Sequence, residues 1–132
     1  MPRILAALLA LCLPLAAMAE PVAVEPSAIF VIDGDTVELD GERIRVVGLD
    51  APETHPGQYR CAAERARGET ATATLRYMLA DAETSALDIL PRRDRYGRLL
   101  ATLTLDGQDV ATVLIAARLA RPYDGGTRQG WC

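Results

Sequence analysis

From Val31 to Thr54 the chain reads VIDGDTVELDGERIRVVGLDAPET, short apolar strands interrupted by carboxylates. Thr36 to Leu39 alternates, Asp40-Gly41 is a tight-turn pair, and Glu42 to Leu49 alternates again. Period-two alternation on both sides of an Asp-Gly pair specifies an antiparallel hairpin. Asp33-Gly34 has the same turn chemistry and follows another short apolar strand, Ala28 to Ile32. The segment therefore reads as sheet. Arg45 and Asp50 are then a problem, because a regular strand sends them to opposite faces. If both serve one pocket, a bulge must re-aim the chain, and Gly48 is the place for it.

The charges in this run need a partner. Asp33, Asp35, Asp50 and Glu53 stand beside apolar strands, and buried carboxylates are costly without a positive counterpart. A hard divalent cation is the natural one, since Ca²⁺ takes carboxylate, carbonyl and water oxygens. Arg45 adds a planar fork that fits phosphate oxygens. A cation, an arginine and a spare carboxylate are the components of metal-assisted phosphodiester hydrolysis.

The remaining pattern bounds the architecture. Pro52 to Arg60 reads as a loop and Cys61 to Ala80 as a helix with Ala71, Leu75, Met78 and Leu79 on one stripe. Gly68 weakens the first half of that helix. Ala86 to Leu90 and Leu99 to Leu105 are two more strands, joined by the basic turn Pro91 to Arg98. Asp106-Gly107 closes a further hairpin. Asp109 caps a second helix, with Val110, Val113, Leu114 and Ala117 on its inner face. Arg121 to Cys132 reads as irregular. Five short strands with a helix after the third fit a partly open Greek-key barrel of the OB type. The same pattern fits an α+β sandwich.

Composition supplies the context. Aromatics make up 5% of the 132 residues, so the core has to be aliphatic. The formal charge is −4 and no lysine occurs, which argues for a local arginine-lined site over a general basic coat. Residues 1–19 carry a positive start, an apolar run from Ile4 to Leu15 and a small-x-small cleavage site at Ala17-Met18-Ala19, the grammar of a signal peptide. Residues 20–27 read as a tether and residues 28–132 as one domain. The expected mature protein is exported, periplasmic or secreted, monomeric, and free of the membrane once the signal is cleaved. Removing Cys12 with the signal leaves Cys61 and Cys132. In an oxidising compartment that pair reads as one disulfide, against the alternative of two independent thiols. The expected bridge stabilises by roughly 4 kcal/mol on the chain-entropy model and leaves the chemistry alone.

VIDGDTV, then RVVGLDAPET, then DRYGR together resemble the staphylococcal nuclease (thermonuclease) family, over about Ile29 to Tyr123. The resemblance implies an OB-fold, mainly β with about two packed helices, and Ca²⁺-dependent hydrolysis of DNA and RNA. It implies Asp35, Asp50 and the Ala51 backbone carbonyl as metal ligands, with Asp33 as a supporting carboxylate. It implies Glu53 as general base, Arg45 and Arg98 as catalytic arginines, and Arg95 and Tyr96 as contacts to a terminal phosphate of the substrate. Tyr123 matches a tyrosine that stacks on a base.

Each element alone has a plainer reading. Asp33-Gly34 is an ordinary turn, Arg45 a solvated strand residue, Glu53 a loop carboxylate, and Arg92 to Arg98 an exposed basic loop. Their joint order is what points to a site. His55, the single histidine, reads as a surface residue. Trp131 reads as packing beside the bridge. The competing function is a nucleic-acid-binding OB module without catalysis. Such a module is expected to have lost the site's acidic or arginine residues, and all of them are present here.

Overall fold

The computed structural model describes residues 19–132. The expected signal peptide therefore lies almost wholly outside the described residues. Among the described residues nine strands and two α-helices follow in the order β1 (Val22–Val24), β2 (Phe30–Asp33), β3 (Thr36–Leu39), β4 (Glu42–Val46), β5 (Gly48–Asp50), α1 (Ala62–Asp81), β6 (Ser85–Arg93), β7 (Leu99–Leu105), β8 (Gln108–Asp109), α2 (Val110–Ala116) and β9 (Arg121–Tyr123). A short 3₁₀ turn, Pro26–Ala28, separates β1 from β2.

The main sheet has the order β1-β6-β7-β4-β3-β2, with β8 added to β7. β4 and β7 pair in parallel, and the other neighbours are antiparallel. Hairpins β2-β3-β4, a helix, then a fifth strand returning beside the third is the OB-type Greek key. The long strands form one curled sheet, a half-barrel, and this decides between barrel and sandwich. The hairpin turns come where the Asp-Gly pairs fall. Asp40-Gly41 and Asp106-Gly107 both take positive φ at the two central positions, the geometry that matches strand twist.

The core is aliphatic. Val37, Ile44, Val46, Leu87 and Leu103 line the inside of the sheet, all almost fully buried. Ala71, Leu75 and Leu79 of α1 close one side against β2. Asp109 caps α2 by accepting from the Thr112 N–H at 3.0 Å, and Val110 and Leu114 are buried beneath it. Ala117, expected on that inner face, is exposed, and Ala111 is buried instead. α2 ends at Ala116, one residue before the face would reach Ala117.

Other segments differ from their sequence reading, and β6 runs on to Arg93, into the expected basic turn. Part of the expected tether forms β1, whose Val22 to Val24 pair with Leu87 to Ser85. Four residues between Pro21 and Pro26 are too few to display a period, and an edge position tolerates flanking prolines. The tail likewise begins as a strand: β9 pairs with β5, Gly48 opposite Tyr123 and Asp50 opposite Arg121. The strand expected over Glu42 to Leu49 breaks at Val47, where Gly48 takes φ +93°. That conformation suits glycine, and it is the re-aiming that Arg45 and Asp50 require.

Cys61 and Cys132 form a disulfide with Cα atoms 6.0 Å apart. Cys61 is also the N-cap of α1, its Sγ accepting from the Glu64 N–H at 3.4 Å. The bridge thus fastens the chain's last residue to the start of α1, directly after the loop that carries Glu53. Among the described residues no helix is long and apolar enough to cross a membrane.

Candidate functional site

Arg45 is at the centre of the charged cluster, with its side chain 6% exposed. Its Nη1 donates to the Val46 carbonyl at 2.6 Å and its Nη2 to the Leu49 carbonyl at 2.9 Å. Those two bonds hold the broken segment between β4 and β5. The same Nη2 stands 3.4 Å from Asp35 Oδ2 and 3.9 Å from Asp50 Oδ1. Asp35 Oδ2 also accepts from the Ala51 N–H at 2.9 Å, and its Oδ1 accepts from the Thr36 hydroxyl at 3.1 Å. The Asp35 N–H donates to Asp33 Oδ1 at 3.1 Å, which fixes the turn between β2 and β3. Asp33, Asp35, Asp50 and Ala51 are therefore gathered at one place.

Two glycines permit the approach. A Cβ on Gly34 would stand 2.8 Å from the Ala51 Cβ and 2.9 Å from the Ala71 Cβ. A Cβ on Gly68 would stand 2.5 Å from the Pro52 carbonyl oxygen and 3.0 Å from that of Glu53. Neither glycine has the positive φ that a turn reading of Gly34 would suggest. Both are needed for space. Gly68 lets the Pro52–Thr54 loop lie on α1, and so fixes where Glu53 begins.

Arg98 reaches the cluster from the other side. Its Nε pairs with Asp94 Oδ2 at 2.7 Å, and its Nη1 donates to Thr36 Oγ1 at 3.4 Å. Thr36 in turn donates to Asp35, so Arg98 is one hydroxyl away from the carboxylates. Arg95 and Arg98 flank the exposed Tyr96 ring, at 4.7 and 5.4 Å from its centroid. His55 is exposed, with only a 3.3 Å contact to Thr54, as a surface residue should be.

The tail supplies groups that motif reading missed. Trp131 is buried, and its indole N–H donates to Asp50 Oδ2 at 3.4 Å. It thus serves the carboxylate site as well as filling space near the bridge. Arg128 stands 3.6 Å from Asp50 Oδ1 and 3.4 Å from Glu53 Oε1. The half-buried Tyr123 ring lies under both Arg45 and Arg128, at 5.8 and 5.3 Å. The signal available in the sequence was the cysteine pair, which ties whatever lies just before Cys132 to the end of the loop that carries Glu53.

Burial first, and the Asp35 charge second, set the electrostatics of the carboxylates. Burial, and next the Asp35 charge, push the Asp33 carboxyl up to about 7. Burial and then Asp35 also raise Asp50, against the pull of Arg128, Trp131 and Arg45. Glu53 is raised by the same two causes, with Arg128 opposing. Among the described residues no group of three or more Asp, Glu, His or Cys side chains is arranged to hold a metal ion by itself. Asp35 and Asp50 bring two carboxylates to one place, and a hard cation completes such a set with carbonyl, water and substrate oxygens. Carboxylate oxygens are the donor chemistry that a hard cation such as Ca²⁺ takes.

Comparison with known proteins places the chain in a family. The family model described as staphylococcal nuclease homologue matches residues 43–129. That span contains Arg45, Asp50, Glu53, Arg98 and Arg128, while Asp33 and Asp35 precede it. A curated relative, the succinoglycan biosynthesis protein ExoI of Rhizobium meliloti (strain 1021), is 37% identical over 108 residues, which is 76% of this chain and 51% of the relative. The chain thus spans about half the length of that relative. With a half-barrel of OB topology and a family match over most of its described residues, the chain belongs to the staphylococcal nuclease homologue family.

Proposed function

We propose that this chain is an exported Ca²⁺-dependent nuclease that hydrolyses phosphodiester bonds in DNA or RNA. The observation that carries the reading is the Arg45 bridge between Asp35 and Asp50, with Glu53 and Arg98 on its two sides. Asp35, Asp50 and the Ala51 carbonyl would hold Ca²⁺, supported by Asp33. When bound, the ion supplies positive charge for the phosphoryl oxygens.

The chain's own residues do the rest. Glu53 takes the proton of the attacking water at its carboxylate, and its raised pKa suits a base. Arg98 stabilises charge developing on the phosphoryl oxygens, with Asp94 holding its guanidinium in place. Arg45 is nearly buried and already donates to two carbonyls, so it locks the carboxylates and meets the phosphate from a fixed position. Arg95 and Tyr96 bind a neighbouring phosphate, and Tyr123 supports a base.

The disulfide is compatible with export. A nucleic-acid-binding module without catalysis is the alternative on the same fold. The presence of every acidic and arginine residue in one cluster favours hydrolysis. Incubating plasmid DNA and RNA with the protein in Ca²⁺ or in EDTA tests the proposal. Cleavage in Ca²⁺ that stops in EDTA supports it, and retention without cleavage supports the binding module.

A further inference from the structure

Arg128 is a third arginine at the carboxylate cluster, and it comes from the tail. Its Nε faces Asp50 and its Nη1 faces Glu53, while Nη2 takes part in neither pair. The side chain is 43% exposed. Its guanidinium lies 5.3 Å over the Tyr123 ring. Among the described residues it is the one cation paired with Glu53.

The fold does not need Arg128 to hold the tail. Three other devices do that. β9 pairs with β5. Arg121 stacks on Trp131 at 3.7 Å and donates to the Gly130 carbonyl at 2.7 Å. The Cys61–Cys132 bridge closes the end. Between Tyr123 and Trp131 the chain is therefore a strap fixed at both ends, and it presents a half-exposed guanidinium beside the expected base. A half-exposed arginine fork is suited to take phosphate oxygens.

We propose that Arg128 is a substrate-phosphate ligand, delivered to the site by the disulfide-closed strap Arg121 to Cys132. The ligand class is the phosphodiester backbone of nucleic acid, and the inference rests on the nucleic-acid reading given above. It changes the role of the bridge. On sequence alone the disulfide affects stability only. With Arg128 on the strap, opening the bridge also weakens substrate binding.

The test is fluorescence anisotropy with a fluorescein-labelled, phosphorothioate-linked single-stranded DNA, in Ca²⁺, over a range of salt. Arg128→Gln is expected to weaken binding about tenfold, the scale of one hydrogen bond to a charged group. It should also flatten the plot of log affinity against log salt by about 0.7, the value of one phosphate contact on a single strand. Cys61→Ser with Cys132→Ser should do the same at a temperature where circular dichroism shows the fold intact. Arg67→Gln removes the same charge from an exposed position on α1 and should leave the salt slope unchanged. The proposal is overturned if Arg128→Gln binds within about twofold of the parent with an unchanged slope. It is overturned equally if Arg67→Gln has the same effect, or if the parent protein does not bind the DNA. Wild-type affinity in the double cysteine variant, beside a weakened Arg128→Gln, removes the strap from the account. Binding of unmodified DNA without cleavage would instead count against the hydrolytic reading and leave Arg128 in place.

Discussion

Arg45 and Asp50 meet at 3.9 Å across the break that Gly48 makes in the strand. The same guanidinium pairs with Asp35 at 3.4 Å, so one buried cation holds two carboxylates from separate elements. Breaking a buried pair leaves uncompensated charge and costs about 3–5 kcal/mol. Arg45→Met is therefore expected to destabilise the Ca²⁺-free protein by about that amount, read from urea unfolding. A loss under about 1 kcal/mol would show that the carboxylates do not depend on it.

Gly68→Ala separates two opposing effects. In an exposed helix interior the change would stabilise by up to about 1 kcal/mol. Here the new Cβ meets the Pro52 carbonyl oxygen at 2.5 Å, a backbone atom with little freedom to retreat. Overpacking of this kind costs about 1–3 kcal/mol, so the net change is expected to be destabilising. Displacement of the loop should also lower kcat through Glu53. A variant with raised Tm and unchanged turnover would show that the loop is not seated on α1.

The pH dependence of the metal-free protein follows from Asp33. Its carboxyl titrates at about 7 in the fold and near 3.8 in the unfolded chain. The folded state therefore holds a proton that the unfolded state has released. The contribution is full at low pH and is lost as pH rises from about 4 to about 7. Asp50 and Glu53, also raised, act in the same direction. In EDTA, unfolding free energy should fall with rising pH by up to about 1.4 kcal/mol per unit for Asp33. Asp33→Asn should reduce that slope, and Ca²⁺ should suppress it. A stability that rises over this window contradicts the burial of these carboxyls beside Asp35.

Arg98 tests whether a guanidinium is needed or only a charge. Arg98→Lys keeps the charge and loses the planar fork that faces Asp94 and Thr36. Loss of one transition-state donor costs on the order of 10²-fold in kcat. The expected result is a fall of that order with little change in Tm. Near-normal turnover in Arg98→Lys would make Arg98 an ordinary surface charge.

Much of this site was legible because strand parity is strict. Arg45 and Asp50 shared a face only if the chain broke between them, and Gly48 was the residue able to do it. The glycines were harder. Gly34 looked like a turn residue and Gly68 like a weak point in a helix. Their purpose depends on Ala51, Ala71 and Pro52, which are brought near only by the fold. Val22 to Val24 and Arg121 to Tyr123 were too short to carry a period, and their pairing is set by partners distant in the chain. Arg128 and Trp131 had no motif around them. Their place follows from β9 and the disulfide, so the tail's part in the site needed three dimensions to be seen.

Asp35 carries the central claim, since it touches Ala51, Thr36 and Arg45 and raises every other carboxylate of the cluster. The direct measurement is cleavage of plasmid DNA and RNA by the parent protein and by Asp35→Ala, each in Ca²⁺ and in EDTA. Circular dichroism on both proteins checks the fold. The account predicts cleavage only by the parent and only in Ca²⁺, with Asp35→Ala folded and inactive, because it loses a ligand while carboxylate repulsion is relieved. Full cleavage by Asp35→Ala, or by the parent in EDTA, would contradict the metal-dependent site.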